Sequence, residues 1–367
     1  MSRLFRYSLI FITLLSSSKA FALIDFEDAI FPELAPAARA LAMGNAYICK
    51  VDDAASSFYN PAGLGTVRNT HFHITNFTIE TNKDYIKLGG NKATDVLSDL
   101  SGKFSLNGTR KLLLENRGKI AHSRFHVMPN FTTRYFSLGY LFAQRSRSTV
   151  GVESDAQFEY AFRQDHGPYA SLNLSIGGGI LKFGWTSIIL NRKEVNDQSP
   201  RNLGIIVQDE EFKKGTAVVS IAGTRLTLPI VWLPTFAATI HNVLENDFSS
   251  RAAGQPTNIK RNVVLGASVT PQIANTIRMH LEFNWKDFTM EHDGVAFTRR
   301  YAFGAEIDFA RKGFIRFGYG DGYGSGGIGF KSQTMEMDLS TYAVDTTTQE
   351  YRGKEDRRFV LGISSGF

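Results

Sequence analysis

A chain of 367 residues can hold one large β domain or two ordinary ones, and this one is rich in Phe (29), Tyr (13) and Gly (33) at a mean hydropathy of only −0.15. That combination suits a membrane barrel, in which half of each strand faces water. Basic pairs such as Arg145 and Arg147, Lys213 and Lys214, and Arg357 and Arg358 form no stripe and read as solvated loop charge, which argues against a nucleic-acid partner. The single cysteine, Cys49, excludes an internal disulfide framework and, beside Tyr47, Ile48 and Val51, reads as packed.

Residues 1–22 have the layout of a secretory signal peptide. Arg3 and Arg6 open it, an apolar run follows from Leu9 to Leu15, and Ala20-Phe21-Ala22 closes it as an A-x-A cleavage site. No later apolar run is long enough for a transmembrane helix. If the protein is a membrane protein, it must therefore cross with strands. Residues 23–69 are small-residue-rich and weakly helical. Pro32 and Pro36 break any early helix, Ala37 to Val51 could form one short helix, and Asn60-Pro61-Ala62-Gly63 reads as a turn, with Gly63 permitting a positive φ. A compact segment of this kind ahead of strands alone suggests something packed inside or under a barrel.

From Thr70 to Phe367 the pattern has period two. In Ile277–Lys286, Ile277, Met279, Leu281, Phe283 and Trp285 alternate with Arg278, His280, Glu282, Asn284 and Lys286. Tyr301–Phe309 alternates likewise, with Glu306 and Asp308 on its polar face. Phe136–Ala143 alternates with Leu141 as the one apolar intruder, and Phe359–Phe367 completes the clear cases. Further candidates are Thr70–Thr81, His122–Thr133, Ala156–Arg163, Tyr169–Ile176, Ile180–Lys193, Val231–Leu244, Asn262–Pro271, Gly313–Tyr319, Gly326–Gln333 and Met335–Val344, about fourteen strands in all. Two insertions interrupt them: Asn82 to Lys119, with a helical stretch at Asp95, Val96, Leu97 and Leu100, and the mixed segment Val195 to Leu228. Arg278, His280, Glu282, Lys286, Glu306, Asp308 and Arg316 fall on lumen-facing positions, either as an ion-pair ladder between wall and N-terminal segment or as a polar route. Phe58, Tyr59, Phe72 and Ile74 could supply an apolar pocket or equally form the core of the N-terminal segment.

Enzymatic motifs are weak. Gly322-Tyr-Gly324-Ser-Gly-Gly327 matches a dinucleotide fingerprint formally, but a strand follows it rather than a helix, so a tight hairpin is expected. Gly177-Gly178-Gly179 reads the same way. His71 and His73 share a strand face without a third metal ligand at convincing spacing. Asp165-His166 beside Gly167-Pro168 reads as a hairpin turn with no serine in an elbow context. No catalytic residue, metal site or cofactor is expected.

The stretch ARALAMGNAYICKVDDAASSFYNPAGL resembles the N-terminal signature of the FadL superfamily of outer-membrane barrels, through Arg39, Met43, Gly44, Ala46, Asp52, Asp53, Ala54, Asn60, Pro61, Ala62 and Gly63. The runs Phe303–Glu306, Ile315–Tyr319 and Gly326–Lys331 resemble the last hairpins of the same superfamily, in wording closest to its PorV-like and UPF0164-like branches. The terminal aromatics Phe359 and Phe367 resemble the signal that such barrels present to the barrel-assembly machinery. The resemblance implies an all-β, antiparallel transmembrane barrel of about 14 strands in the outer membrane of a diderm bacterium. An N-terminal hatch would lie in its lumen, with Arg39, Gly44, Asp52, Asp53, Asn60, Pro61, Ala62 and Gly63 as hatch or gating residues. It further implies uptake of small hydrophobic compounds such as long-chain fatty acids. The alternative is a non-transport barrel that docks secretion-system or surface-attachment proteins.

Overall fold

The computed structural model describes residue 28 and residues 34–67, 70–88, 106–153, 155–347 and 351–366. The signal peptide, the helical stretch around residues 95–100 and Phe367 lie outside the described residues. No described helix is long and apolar enough to cross a bilayer.

Fourteen antiparallel strands close into one barrel among the described residues. They are β1 (His71–Asn82), β2 (Ile120–Val127, resumed at Asn130–Thr132), β3 (Phe136–Val150), β4 (Phe158–Ile176), β5 (Leu181–Ser199), β6 (Lys213–Thr227) and β7 (Thr235–His241, resumed at Arg251–Ala252). Then follow β8 (Asn262–Val269, resumed at Gln272–Ala274), β9 (Ile277–Trp285), β10 (Tyr301–Phe309), β11 (Gly313–Gly320), β12 (Tyr323–Lys331), β13 (Met335–Asp345) and β14 (Glu355–Gly366). Each pairs with its sequence neighbours, and β14 returns to β1 with Phe77 opposite Ile363 and Ile79 opposite Leu361. Closure leaves the sheet no end strand, so each strand has a partner strand on both sides.

Alternation puts one face in hydrocarbon. Leu172, Leu174, Phe183, Ile189, Phe303, Phe317, Phe330 and Leu339 are exposed on the outside, whereas their polar neighbours Ser171, Thr186, Glu306 and Arg316 are buried inside. Connections are short at one end (177–180, 310–312, 332–334) and long at the other (83–119, 200–212, 242–261, 286–300). In outer-membrane barrels the short turns face the periplasm and the long loops the exterior. β4 and β5 run 19 residues each. Beyond Ile189 the outward residues of β5 become Asn191 and Lys193, so these strands rise past the apolar belt on the long-loop side.

Two strand expectations fail in compensating ways. Gly167-Pro168 is not a turn. β4 runs through it, with Pro168 opposite Tyr140 and the β5 register unbroken from His166–Asn191 to Tyr169–Ile188. Gly167 is there for close approach, since a Cβ on it would sit 1.8 Å from the Ile189 carbonyl oxygen. Conversely, the segment Val195 to Leu228 contains β6 in full. Ala217-Val218-Val219 is apolar on both faces, which hides the period of two. The short helix expected over Ala37–Val51 covers only α1 (Ala38–Ala42), because Gly44 and Asn45 both turn to a φ of 63°. The Gly177–Gly179 and Asp321-Gly322 connections are hairpin turns with positive φ, as the glycine runs suggest.

Candidate functional site

Residues 34–67 lie within the barrel and contact its inner face on opposite sides. α1 packs on β11–β14, while the 3₁₀ turn Pro61–Thr66 packs on β4–β6. The wall makes room with glycine. A Cβ on Gly223 would lie 2.0 Å from Asn60 Oδ1, one on Gly184 would lie 2.2 Å from the Ala62 nitrogen, and one on Gly318 would lie 2.1 Å from the Gly44 nitrogen. These wall glycines escape the sequence reading. Their signal is glycine recurring on the inward face of strands.

Asn60 holds the turn. Its Oδ1 accepts from the Ala62 N–H at 3.0 Å, and its Nδ2 donates to the carbonyls of Ile48 at 3.0 Å and Thr224 at 3.2 Å. Pro61 opens the 3₁₀ turn, where its missing N–H has no bond to make. Gly63 does not take a positive φ. It is needed for space, because a Cβ would meet Val51 at 2.6 Å.

Arg39 is buried and donates to both carboxylate oxygens of Glu306 on β10, each at 2.8 Å, and to Asp52 at 2.8 Å. Tyr47 donates to Asp53 at 2.6 Å. Arg316 on β11 donates to Glu306 at 2.8 Å and to Asp338 on β13. His280 bonds Glu282 at 3.0 Å, Glu282 accepts from the Cys49 N–H at 2.8 Å, and Arg278 pairs with Asp308. Lys286 reaches toward the Gly44 carbonyl at 3.4 Å. Glu282 and Glu306, with Lys286 just past β9, therefore meet the N-terminal segment, Arg316 joins them through Glu306, and Arg278 and Asp308 form a separate pair. Cys49 is buried.

A second network corrects the expectation of solvated loop charge. Arg145, Arg147 and Arg358 are buried in the lumen and converge on Asp28, with Arg147 at 2.8 Å and Arg358 at 2.7 Å. Burial pushes the Asp28 carboxyl up, but Arg145, Arg358 and Arg147 outweigh it and hold it well below the usual carboxylate range. Arg358 also pairs with Asp356 at 2.9 Å, and His122 bonds Glu80 at 2.7 Å. On the periplasmic side His73 bonds Ser364 at 2.8 Å.

Above the segment, toward the long loops, lies a cavity of about 400 Å³. Its floor and wall carry Leu34, Ile48, Phe58, Tyr59, Val219 and Ile221, with Arg145, Arg163, Lys286 and His241 among its polar groups. The apolar lining continues into a buried cluster that joins Phe58 to Leu141, Tyr169, Ile188 and Leu190. Phe58 meets Tyr169 edge-on at 5.0 Å. Leu141, the intruder in the β3 alternation, thus faces inward for a reason. Phe72 and Ile74, in contrast, are exposed on the outer surface and do not join the pocket. Alternation fails where both faces of the wall are apolar, as in Ile188-Ile189-Leu190. The roof is a loop folded into the mouth. Thr257 donates its hydroxyl to Glu194 at 2.8 Å and its carbonyl accepts from Arg192 at 2.7 Å. Glu194 and Arg192 are themselves paired with Arg163 and Asp165.

No family model matches the chain, and no curated protein does. Among solved structures it is similar to the CymD monoaromatic hydrocarbon channel, with a TM-score of 0.51 at 9% identity over 92% of this chain and 97% of that one. It is also similar to the toluene transporter TbuX of Ralstonia pickettii, with a TM-score of 0.50 at 11% identity over 89% of this chain and 96% of that one. At such identities the likeness is one of fold. The chain shares with these two channels the closed antiparallel barrel fold.

Proposed function

We propose that this FadL-type barrel carries small hydrophobic compounds, fatty acids among them, across the outer membrane, and that it performs no chemistry on them. The observation that carries the reading is the inward apolar cluster of Leu141, Ile188, Leu190, Val219 and Ile221 around Phe58. A lumen that only conducted water would gain nothing from a greasy wall, whereas a ligand shed of its hydration does. The compound enters beneath the roof at Thr257 and rests above the N-terminal segment, which acts as a hatch. Rearrangement at Asn60-Pro61-Ala62-Gly63 then opens the way onward. Arg39, Gly44, Asp52 and Asp53 seat the hatch, and Glu282, Lys286 and Glu306 tie it to the wall.

The test is saturable binding of a labelled long-chain fatty acid to the refolded barrel against an unrelated barrel, joined to uptake in cells carrying Asn60→Ala with Pro61→Ala. Binding with impaired uptake in the variant supports the reading. A folded barrel that binds no more than the control overturns it. The dense lumenal ion pairs would then favour a docking barrel for secretion or surface-attachment proteins.

A further inference from the structure

The short turns at the periplasmic end differ in character around the barrel. Between β6 and β7 the turn is Leu228-Pro-Ile-Val-Trp-Leu-Pro234, in which Val231 is 80% and Trp232 61% exposed and Ile230 and Leu233 are also exposed. Its neighbours at the same end carry exposed Ile176 and Ile180 (β4–β5) and Ile273 (β8–β9). Farther round, the tips are Arg311-Lys312 (β10–β11) and Ser332-Gln333-Thr334 (β12–β13), all exposed. One arc of the rim is apolar and the other is polar.

The apolar arc continues the lipid-facing belt without a break. Leu226 and Phe236 form an outward pair on the last rungs of β6 and β7, and Ile230 to Leu233 follow directly. Part of the turn's backbone is also satisfied without water. Pro229 and Pro234 have no N–H to satisfy. Leu228 donates to the Pro234 carbonyl at 2.9 Å and Leu233 to that of Ile230 at 3.0 Å, while the Trp232 carbonyl accepts from Thr270 at the break in β8 at 2.6 Å. Of the turn's N–H groups only those of Ile230, Val231 and Trp232 lack a backbone acceptor, so immersing it in hydrocarbon costs less than immersing an open loop.

We propose that the β6–β7 turn, with the β4–β5 and β8–β9 turns beside it, is immersed in the periplasmic-side leaflet, and that the phospholipid acyl chains there are its partner. The barrel accordingly sits tilted, with Trp232 below the headgroups and the β10–β13 turns in water. The β6–β7 turn lies at the foot of β6, one of the strands that carry Pro61–Thr66, so the lipid pins the rim beneath that part of the segment.

Tryptophan fluorescence tests this, since the chain has only three Trp. The refolded protein with Trp185→Phe and Trp285→Phe reports Trp232 alone. A second protein lacking all three but carrying Gln333→Trp reports the polar arc. In vesicles containing phosphatidylcholine brominated on its upper acyl carbons, Trp232 emission is expected to be blue-shifted, strongly quenched by the bromines and insensitive to iodide, with the reverse at position 333. Folding is checked by heat-modifiable gel mobility, with Trp232 also measured in the otherwise native chain by difference from Trp232→Phe. Red emission from Trp232, quenched by iodide and not by bromolipid, would overturn the proposal and leave the turn free for a protein. Equal bromolipid quenching at 232 and 333 would overturn the tilt.

Discussion

Arg39 and Glu306, 267 positions apart in sequence, form a two-bond pair in which Nε and Nη2 each donate at 2.8 Å to a separate carboxylate oxygen. Both are buried, and the pair joins the N-terminal segment to β10. Removing one partner breaks these two buried bonds but leaves Glu306 on Arg316 and Arg39 on Asp52, and should cost about 1.5–3 kcal/mol. Arg39→Ala and Glu306→Ala are therefore each expected to lower the urea midpoint of the refolded barrel. The double variant should lose less than the sum, a coupling that a double-mutant cycle measures directly.

The glycines beneath the segment give a second expectation. Gly223→Val puts its side chain where Asn60 now lies, since the first added carbon alone comes within 2.0 Å of Oδ1. The outward face is untouched, so the barrel should still form and retain its heat-modifiable mobility. The segment, however, should become accessible to added protease, with cleavage mapped by mass spectrometry to residues 34–67. Protection equal to that of the unaltered protein would mean the wall can yield there.

Val219 faces Phe58 across the apolar lining of the cavity. An aspartate at this position sets an unpaired charge against hydrocarbon, a penalty above ~1.4 kcal/mol, so fatty-acid affinity should fall by about tenfold or more. Val218→Asp, on the lipid side of the same strand, is the contrasting variant. It should impair insertion into bilayers without changing ligand affinity in detergent. Fluorescence titration and vesicle flotation read the two effects apart.

The Asp28 contact with Arg145, Arg147 and Arg358 carries its own pH dependence. Because the folded pKa is depressed, the stabilisation is complete above the unfolded value of about 3.9 and is lost only as pH falls through the lower folded value. Residue 28 should therefore stay docked from neutrality down to about pH 4 and release in stronger acid. A nitroxide at the adjacent position 29, with the Asp28 carboxylate intact, would report this as a change in spin mobility. Release near neutrality would show that the carboxylate is not held by the arginines.

Much of the fold is legible in the chain because a barrel wall writes its two environments into alternate residues. Ile277 to Lys286 and Tyr301 to Phe309 can be read directly. What fails is equally physical. β6 is hidden where Val218 faces lipid and Val219 faces the apolar lumen, since two greasy surroundings leave no contrast between neighbours. Gly167-Pro168 has the composition of a turn but stands mid-strand, where a lost N–H is tolerated and the missing side chain admits β5. The site is less legible than the wall. Asn60, Pro61 and Arg39 stand out by their local pattern, but Glu306 is recognisable as the partner of Arg39 only once the sheet has curled round. Arg145, Arg147 and Arg358 look like loop charge until Asp28 is set among them.

The segment from residue 34 to residue 67 touches β4–β6 on one side of the lumen and β11–β14 on the other, inside a wall whose first and last strands are bonded to each other. An object held on all sides by a continuous hoop cannot be fitted afterwards except by threading it through one end or parting a strand pair. The wall glycines narrow that choice further, because the segment fits them in one register and leaves little clearance to slide. The pairing of β14 with β1 thus sets an order on assembly. The N-terminal residues must already lie in their groove when the hoop is fastened, and the fastening strand is the one at the far end of the chain.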